Sequence, residues 1–366
     1  MSLDTEPRSA RVEDTDLPLP PTVPDEPYYR RGEQARRWGA LLLLIGVVWL
    51  VFSITSRGSF FGVGFIERTA ELPVQSYTVE RVVISGANDN IRLVAWNEDE
   101  VQVTGVKHAF GWNGGAAEEA LEGLQLAVDE RNETLTIEVR RPSLTGIGRS
   151  PYVDLRINVP AEILAEASLV SGDISVDGVQ GELTLRSVSG EIEVEDTAGP
   201  LSINTTSGDV VLEDHTGTLV VETVSGRVRA KGDLENPRVE SVSGDVRLSG
   251  VSGSIDLRSI SGDLAALDAA DASLAIETTS GDVQFSGALA NGTSSRISTI
   301  SSSVEVRLER TDDLRLELTT TSGDLDLDLN LDRVERERRR ISGQNGTGTT
   351  QLSINTTSGD VEVKGR

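Results

Sequence analysis

Residues 238–267 read RVESVSGDVRLSGVSGSIDLRSISGDLAAL and contain two Ser-Gly-Asp motifs that begin eighteen residues apart, at Ser243 and Ser261. Each motif lies between two short runs in which apolar and polar residues alternate, which is the pattern of strands with one buried face. A unit of this size cannot bury that face alone, so it must stack on its neighbours. The stretch therefore predicts stacked coils with two short strands per coil.

The eighteen-residue spacing continues towards the N-terminus and loosens towards the C-terminus. The decapeptide LSINTTSGDV occurs unchanged at 201–210 and at 352–361. Further motif serines or close variants stand at Ser171, Ser189, Ser207 and Ser225, and then at Ser280, Ser301, Ser322, Ser342 and Ser358. We therefore predict an all-β chain in which residues 161–366 form a parallel β-solenoid, related to β-helices and β-rolls. About ten coils at ~4.8 Å each would give a stack near 50 Å long.

Four apolar columns appear when the coils are aligned on the motif. We expect these columns to form the core and the polar residues between them to face solvent. A proline, Pro237, interrupts the first column, and we expect that coil to fray because proline removes a ladder hydrogen bond. The columns are Leu183, Leu201, Leu219, Ile255 and Leu274; Leu185, Ile203, Val221, Val239, Leu257 and Ile276; Ile174, Ile192, Val210, Val228, Val246, Leu264 and Val283; Val176, Val194, Leu212, Ala230, Leu248 and Phe285.

The motif residues have a structural interpretation and a functional one. Glycine suits a corner that needs positive φ, and Ser and Asp can bond backbone groups of the same turn. Stacking also brings acidic side chains into one row, which raises the hypothesis of calcium binding. Calcium-binding β-rolls use two glycine-rich corners per eighteen residues, whereas this chain has one, so solvated corner carboxylates are favoured and we expect no metal ligands and no cofactor. The row is Asp173, Glu191, Asp209, Arg227, Asp245, Asp263 and Asp282.

Residues 77–160 alternate like strands without the strict spacing. Asn88-Asp89-Asn90 predicts a turn between two strands, and Ala116–Leu124 predicts a brief helix. We expect this block to be an irregular β cap, because the first coil would otherwise leave an open sheet edge.

The N-terminal segment predicts a membrane anchor. Residues 1–37 hold six of the twelve prolines and end in the basic cluster Arg30, Arg31, Arg36 and Arg37, which favours a disordered tail. Residues 38–56 carry no charge and are long enough, at about 28 Å, to cross a bilayer as a helix. The positive-inside rule then predicts a single-pass cell-membrane protein with a cytoplasmic N-terminus and extracytoplasmic repeats, joined by a connector at 57–76.

Composition excludes several classes of function. The formal net charge of −25 argues against nucleic-acid binding, because phosphate attracts basic surfaces. The chain has no cysteine, so disulfides and thiolate chemistry are excluded. Only two histidines are present, His108 and His215, and we expect both to be solvated loop residues.

One charged insertion interrupts the late coils. Residues 333–346 read RVERERRRISGQNG, in which Glu and Arg alternate. This pattern favours a solvated helical turn or hairpin, with a docking site for an acidic or phosphate-bearing partner as the alternative.

The recurring turns SVSGDVRL, SISGDLAA, TTSGDVQF and TTSGDVEV resemble those of the bacterial putative-adhesin family, a β-strand-repeat domain of unknown function. The resemblance covers residues 75–366. It implies an envelope-associated β-solenoid without catalytic residues, linked in some members to adhesion or envelope-stress sensing.

We therefore expect a non-enzymatic adhesion, binding or sensing module whose partner is a cell-envelope polymer or a surface protein. One alternative is a structural rod that polymerises end to end, because the chain stops just after its last strand with no sequence left for a cap. A carbohydrate-active β-helix enzyme is the second alternative, and it is disfavoured because the coils lack the long insertions that build a cleft.

Overall fold

A computed structural model of the protein describes residues 59–60, 63–64, 66–141 and 150–365. The chain divides into two compact units, 1–64 and 65–366. In the first, strands β1 (Ser59–Phe60) and β2 (Val63–Gly64) pair antiparallel. The tail at 1–37 and the span at 38–56 that the sequence predicts lie outside the described residues. Within the described ranges, no helix has the length and apolar character needed to cross a membrane.

The second unit begins with an irregular region of eight strands and one helix. Asn113 caps the helix, because its side chain accepts a 2.8 Å hydrogen bond from the amide of Ala116. The elements are β3 (Ile66–Glu71), β4 (Gln75–Tyr77), β5 (Arg81–Ser85), β6 (Asn90–Trp96), β7 (Val101–Gly111), α1 (Gly114–Gly123), β8 (Gln125–Arg131), β9 (Thr134–Arg140) and β10 (Tyr152–Pro160).

Regular coils follow, each with one strand before the Ser-Gly-Asp corner and one strand after it. Equivalent strands of successive coils pair in parallel, and we call the layer before the corner the front layer and the layer after it the back layer. The strands are β11 (Leu164–Ser171), β12 (Ile174–Asp177), β13 (Leu183–Ser189), β14 (Ile192–Glu195), β15 (Leu201–Thr205), β16 (Val210–Thr223), β17 (Val228–Ser241), β18 (Val246–Ser261), β19 (Leu264–Ser280), β20 (Val283–Leu289), β21 (Ser294–Ser301) and β22 (Val304–Leu308). Strands β16 to β19 pass from the back layer through the opposite corner into the next front strand without a break.

The predicted columns form the core. Every residue of the four columns is buried, and all of them belong to one continuous apolar cluster. The alternation of buried and exposed residues along each strand explains why the stack is stable only as an array, since each coil covers the apolar edges of its neighbours.

The prediction of a frayed coil at Pro237 is correct only in part, because ladder pairing is interrupted there but the coil does not open. The ladder between β16 and β17 shifts register between Thr218 and Val220, and between β17 and β18 it resumes at Arg238. Pro237 itself is buried. At this bulge the ladder does not require a backbone N–H from residue 237. The proline ring can therefore lie in the core without opening the coil.

The chain ends inside the stack and not at its tip. The last coil, β27 and β28, lies between the coil of β21 and β22 and the coil of β23 and β24, which precedes it in sequence. The insertion at 333–346 is the antiparallel hairpin β25–β26, which pairs with β23 on the outer side. The expectation of an open final coil is therefore wrong, because β28 has a partner on both edges. These elements are β23 (Leu314–Ser322), β24 (Leu325–Asp328), β25 (Arg333–Glu337), β26 (Arg340–Gln344), β27 (Thr350–Ser358) and β28 (Val361–Gly365).

The other end of the stack has the same arrangement. Strands β5 and β6 do not form a hairpin with each other: they are the two legs of a coil whose corner includes Asn88 and Asp89. This coil lies between β11–β12 and the later strands β9 and β10. Antiparallel strands β8 and β7 then cover β9 and β10, as expected of a cap. Strands β3 and β4 pair with β7 at its outer edge.

Candidate binding surface

The Ser-Gly-Asp corners connect neighbouring coils. Asp209 Oδ1 accepts a 2.9 Å hydrogen bond from the amide of Arg227, and Asp263 Oδ1 accepts one of 2.8 Å from the amide of Asp282. The serine hydroxyls bond in the opposite direction, as Ser243 Oγ does to the carbonyl of Val224 in the preceding coil. The sequence predicted bonds within one turn. The structure shows bonds between turns, so the motif holds the coils together.

The corner glycines are required chiefly by close approach of successive coils. A Cβ on Gly208 would lie 1.8 Å from the carbonyl oxygen of Gly190, which no side chain can tolerate. Positive φ is required at Gly190, where φ is 132°, but it is not a property shared by all corners. The prediction that these glycines are needed for positive φ is therefore incomplete. The reason that the corners of the regular run share is that each glycine packs directly against the glycine of the preceding coil.

The acidic row at the corners is interrupted by an arginine, and several of its carboxylates already accept hydrogen bonds from backbone N–H groups. Arg227 stands within it and pairs with Asp209 at 3.0 Å. Within the described ranges, no three or more His, Asp and Glu side chains are placed to hold a metal ion together. The carboxylates serve as acceptors for backbone N–H groups, so they act in the architecture of the corner.

His215 is not a solvated loop residue as the sequence predicted. Its side chain is buried, and Nδ1 lies 2.9 Å from Thr197 Oγ1, while Nε2 has no hydrogen-bond partner. Burial lowers the pKa of His215 because the charged ring would lose its hydration. Val179, Thr197 and Val251, which stand at the same place of other coils by the eighteen-residue count, are also buried, whereas Asp233 is exposed, so an alignment of this corner gives only a partial signal for burial.

His108 lies in strand β7, and the prediction of a loop residue is wrong here too. Its Nδ1 is 2.9 Å from Glu67 Oε1 and its Nε2 is 3.1 Å from Asp154 Oδ2. The ring stacks on Tyr152 with a centroid separation of 4.6 Å. His108 thus links the outer strand β3 to β10 and belongs to the architecture of the cap.

An exposed row of β-branched side chains runs along the front layer where each front strand meets the Ser-Gly-Asp corner. The row takes the residue immediately before each motif serine, one per coil. We call it the aliphatic row: Val170, Val188, Thr206, Val224, Val242, Ile260, Thr279 and Ile300. Six of the eight are large hydrophobic residues, with exposures from 42% at Val242 to 57% at Ile260. Eight coils at ~4.8 Å spacing make this row about 34 Å long.

A second row of charged and polar side chains runs parallel to the aliphatic row, two residues earlier on each front strand. We call it the charged row: Asn204, Glu222, Glu240, Arg258 and Glu277. Between the two rows lies a groove of about 550 Å³. Its floor is made of small hydroxyl residues, which are Thr205, Thr223, Ser241, Ser259 and Thr278. The groove extends over five coils, and its three central coils have Val224, Val242 and Ile260 on one wall and charged side chains on the other.

The charged wall is held by bonds along the row. Arg258 lies 3.3 Å from Glu240 and 3.8 Å from Glu277, and Asn204 donates to Glu222 at 2.8 Å. Three carboxylates and one guanidinium give this wall a net negative charge. Exposed ion pairs contribute little stability, so their regular placement matters more for what the surface presents to a partner.

The fold and its groove define the class of the protein. It is a β-solenoid whose coils are joined by Ser-Gly-Asp corners, with an apolar and acidic groove along one layer. The chain belongs to the DUF4097 Toastrack family, whose model matches residues 79–314 and 291–364. This confirms the family that the corner motifs predicted.

Several solved structures of bacterial proteins match this chain at low sequence identity. A putative cell adhesion protein from Clostridium sporogenes is 11% identical, covers 82% of this chain and 100% of its own, and gives a TM-score of 0.25. A putative adhesin from Bacteroides fragilis is 11% identical, covers 80% of this chain and 97% of its own, and gives 0.31. A putative lipid binding protein from Parabacteroides distasonis is 9% identical, covers 82% of this chain and 95% of its own, and gives a TM-score of 0.28. Curated proteins give no significant match.

Proposed function

We propose that the protein is a non-enzymatic binding module of the cell envelope, and that the groove between the aliphatic and charged rows is its binding surface. The observation that carries the proposal is the run of three exposed aliphatic side chains, Val224, Val242 and Ile260, on successive coils beside a row of mainly acidic side chains. Soluble proteins seldom expose large contiguous apolar patches that have no partner.

The geometry of the groove favours an elongated partner that lies along the stack. Equivalent side chains repeat at each coil, so a polymer or an extended protein segment would meet the same pair of walls several times. Weak contacts of this kind add up when they are linked in one ligand. Such a partner would be apolar along one edge and would carry N–H or cationic groups along the other.

Anchoring by residues 38–56 completes the proposal. The uncharged stretch and the preceding arginines would hold the solenoid at the outer surface of the cell membrane, where envelope polymers and surface proteins are accessible. A binding module in this position could serve either adhesion or sensing.

The test uses the full-length chain and purified cell-envelope material in a co-sedimentation assay. We expect the double substitution Val242→Asp with Ile260→Asp to abolish most of the binding, because both changes place charge on the apolar wall. The matched control is Val334→Asp with Ile66→Asp, which adds two charges at exposed aliphatic residues of β25 and β3, outside the groove. Thermal melting verifies that each variant is folded. Wild-type binding by the folded double variant would exclude the groove as the binding surface.

A further inference from the structure

A second cavity opens on the back layer near the N-terminal end of the stack, and nothing in the proposed function uses it. Its volume is about 640 Å³, which lies within the range of small-molecule sites. Leu72 and Val74, from the bend between β3 and β4, line it, and Val106 of β7 adds further apolar surface. Gly105 is required chiefly by the backbone of β10, since a Cβ there would lie 2.6 Å from the carbonyl oxygen of Asp154, and it would also lie 3.2 Å from Leu72 Cδ1 in this bend.

Two arginines enter this cavity side by side. Arg92 of β6 and Arg156 of β10 are partners in the parallel ladder, so their Cα atoms are about 5 Å apart. Both line the cavity and both are exposed. Like charges placed directly opposite each other on neighbouring strands are destabilising unless something neutralises them.

Within the described part of the chain, no carboxylate forms an ion pair with either of these two side chains. Among the ion pairs of residues 66–141 and 150–365, neither Arg92 nor Arg156 takes part, and Arg156 makes only a long 3.5 Å contact from Nε to Asn158 Oδ1. This differs from the front layer, where Arg186, Arg238 and Arg258 all pair with carboxylates.

The aspartates near the cavity are engaged elsewhere. Asp154 accepts a 2.7 Å hydrogen bond from Asn90 Nδ2 and lies against His108. Asp173 accepts the amide of Glu191 at 2.9 Å. The remaining carboxylate, that of Glu71, stands on the exposed rim strand. The cavity therefore combines two guanidinium groups that lack a direct ion pair among the described residues with an apolar wall, while the carboxylates of Glu71, Asp154 and Asp173 stand on its rim.

We propose that this cavity binds an amphiphilic anion, a phosphate or carboxylate head joined to an aliphatic chain. The head would lie between Arg92 and Arg156, because guanidinium groups bind such oxyanions with paired N–H donors. The aliphatic chain would lie along Leu72, Val74 and Val106. A free amphiphile and a lipid headgroup share this chemistry.

The experiment is calorimetric titration of the full-length chain with hexyl phosphate, inorganic phosphate and hexanol. We expect hexyl phosphate to bind more tightly than either of the other two, because only it engages both the arginines and the apolar wall. Arg92→Gln with Arg156→Gln is expected to weaken hexyl phosphate binding at least about tenfold. Val74→Ser is expected to weaken hexyl phosphate and leave inorganic phosphate unchanged.

A matched control exists on the same layer. Arg229 and Arg247 are also ladder partners, but they lie outside this cavity. Arg229→Gln with Arg247→Gln removes the same charge and is expected to leave hexyl phosphate binding unchanged. Equal loss in both double variants, or equal affinity for hexyl phosphate and inorganic phosphate, would overturn the proposal. Arg92→Lys with Arg156→Lys keeps the charge, and partial binding by this variant supports the site if the glutamine variant fails to fold.

A second arm identifies the source of the ligand. The same chains are sedimented with vesicles of phosphatidylcholine, alone or mixed in equal parts with phosphatidylglycerol. Binding to the mixed vesicles that depends on Arg92 and Arg156 assigns the site to a lipid headgroup. Hexyl phosphate binding without vesicle binding assigns it to a free amphiphile.

Discussion

The carboxylate of Asp245 accepts a 3.0 Å hydrogen bond from the backbone amide of Asp263, the residue that occupies the same place one coil later. The bond crosses from one coil to the next at the point where the chain turns and strand pairing stops. A side chain thus continues the backbone ladder around the corner, and the same relationship recurs between Asp173 and Glu191.

The substitution Asp245→Ala should therefore lower the free energy of unfolding by about 1 kcal/mol, since it leaves the amide of Asp263 without its acceptor at a water-accessible corner. Asp245→Asn keeps an acceptor oxygen and should stay within about 0.5 kcal/mol of wild type. Urea unfolding of both variants measures the difference. Equal loss in the two variants would show that charge, and not the hydrogen bond, matters at this position.

The substitution Gly208→Ala should be far more harmful. Its Cβ would meet the carbonyl oxygen of Gly190 at 1.8 Å, so the two coils must separate, and we expect a loss of about 3 kcal/mol or more. Gly292→Ala is the control, because Gly292 has φ of 72° with open space around it. That change should cost only the left-handed backbone strain of about 1 kcal/mol. Similar melting temperatures for the two variants would contradict close approach as the cause.

His215 should make the stability of the wild-type protein depend on pH. The unfolded ring has a pKa near 6.5, and burial lowers the pKa in the folded state. The unfolded chain therefore binds more protons below about pH 6.5, so stability is present above this value and falls as the pH decreases towards the folded pKa.

The substitution His215→Val should remove this dependence, because valine occupies the equivalent corner of other coils. The difference in melting temperature between variant and wild type should widen in favour of the variant as pH falls from 7 to 5. Parallel curves over this range would show that His215 does not titrate differently in the folded state.

Hydrogen exchange should reveal the position of the last coil. The amides of β27 and β28 lie between two paired coils, so we expect protection comparable to that of β18 in the middle of the stack. The amides of β25 should exchange much faster, because all five of its residues are exposed and it pairs on one edge only. Rapid exchange at Ile354 and Val363 would contradict the interior position.

The sequence predicts the interior of the stack well. The columns of Val, Leu and Ile follow from period-two alternation, because only one register buries them. His215 escaped prediction because the turn EDHTG contains the polar residues typical of a solvated loop. Thr197 and Asp233, eighteen residues before and after it, are polar as well, and only Val179 and Val251, two coils away, indicate a buried position.

The order of the coils could not be predicted. The identical decapeptides at 201–210 and 352–361 occupy different surroundings. The first lies in the regular run, and the second lies in the last coil, which is inserted between two coils that precede it in sequence. A local sequence that fits any coil holds no information on which neighbour it will meet. The groove escaped prediction for a related reason, since Val242 and Ile260 become members of one row only when parallel stacking aligns the coils.

The interleaved coils at both tips restrict how such a molecule can change its length in evolution. A duplicated coil appended after β28 would find both edges of the last strand already occupied, and the same holds for β5 and β6 at the other tip. New eighteen-residue coils are accommodated most readily between existing ones in the regular run. Longer and shorter relatives should therefore differ in the number of eighteen-residue units in the middle and keep the two tips intact.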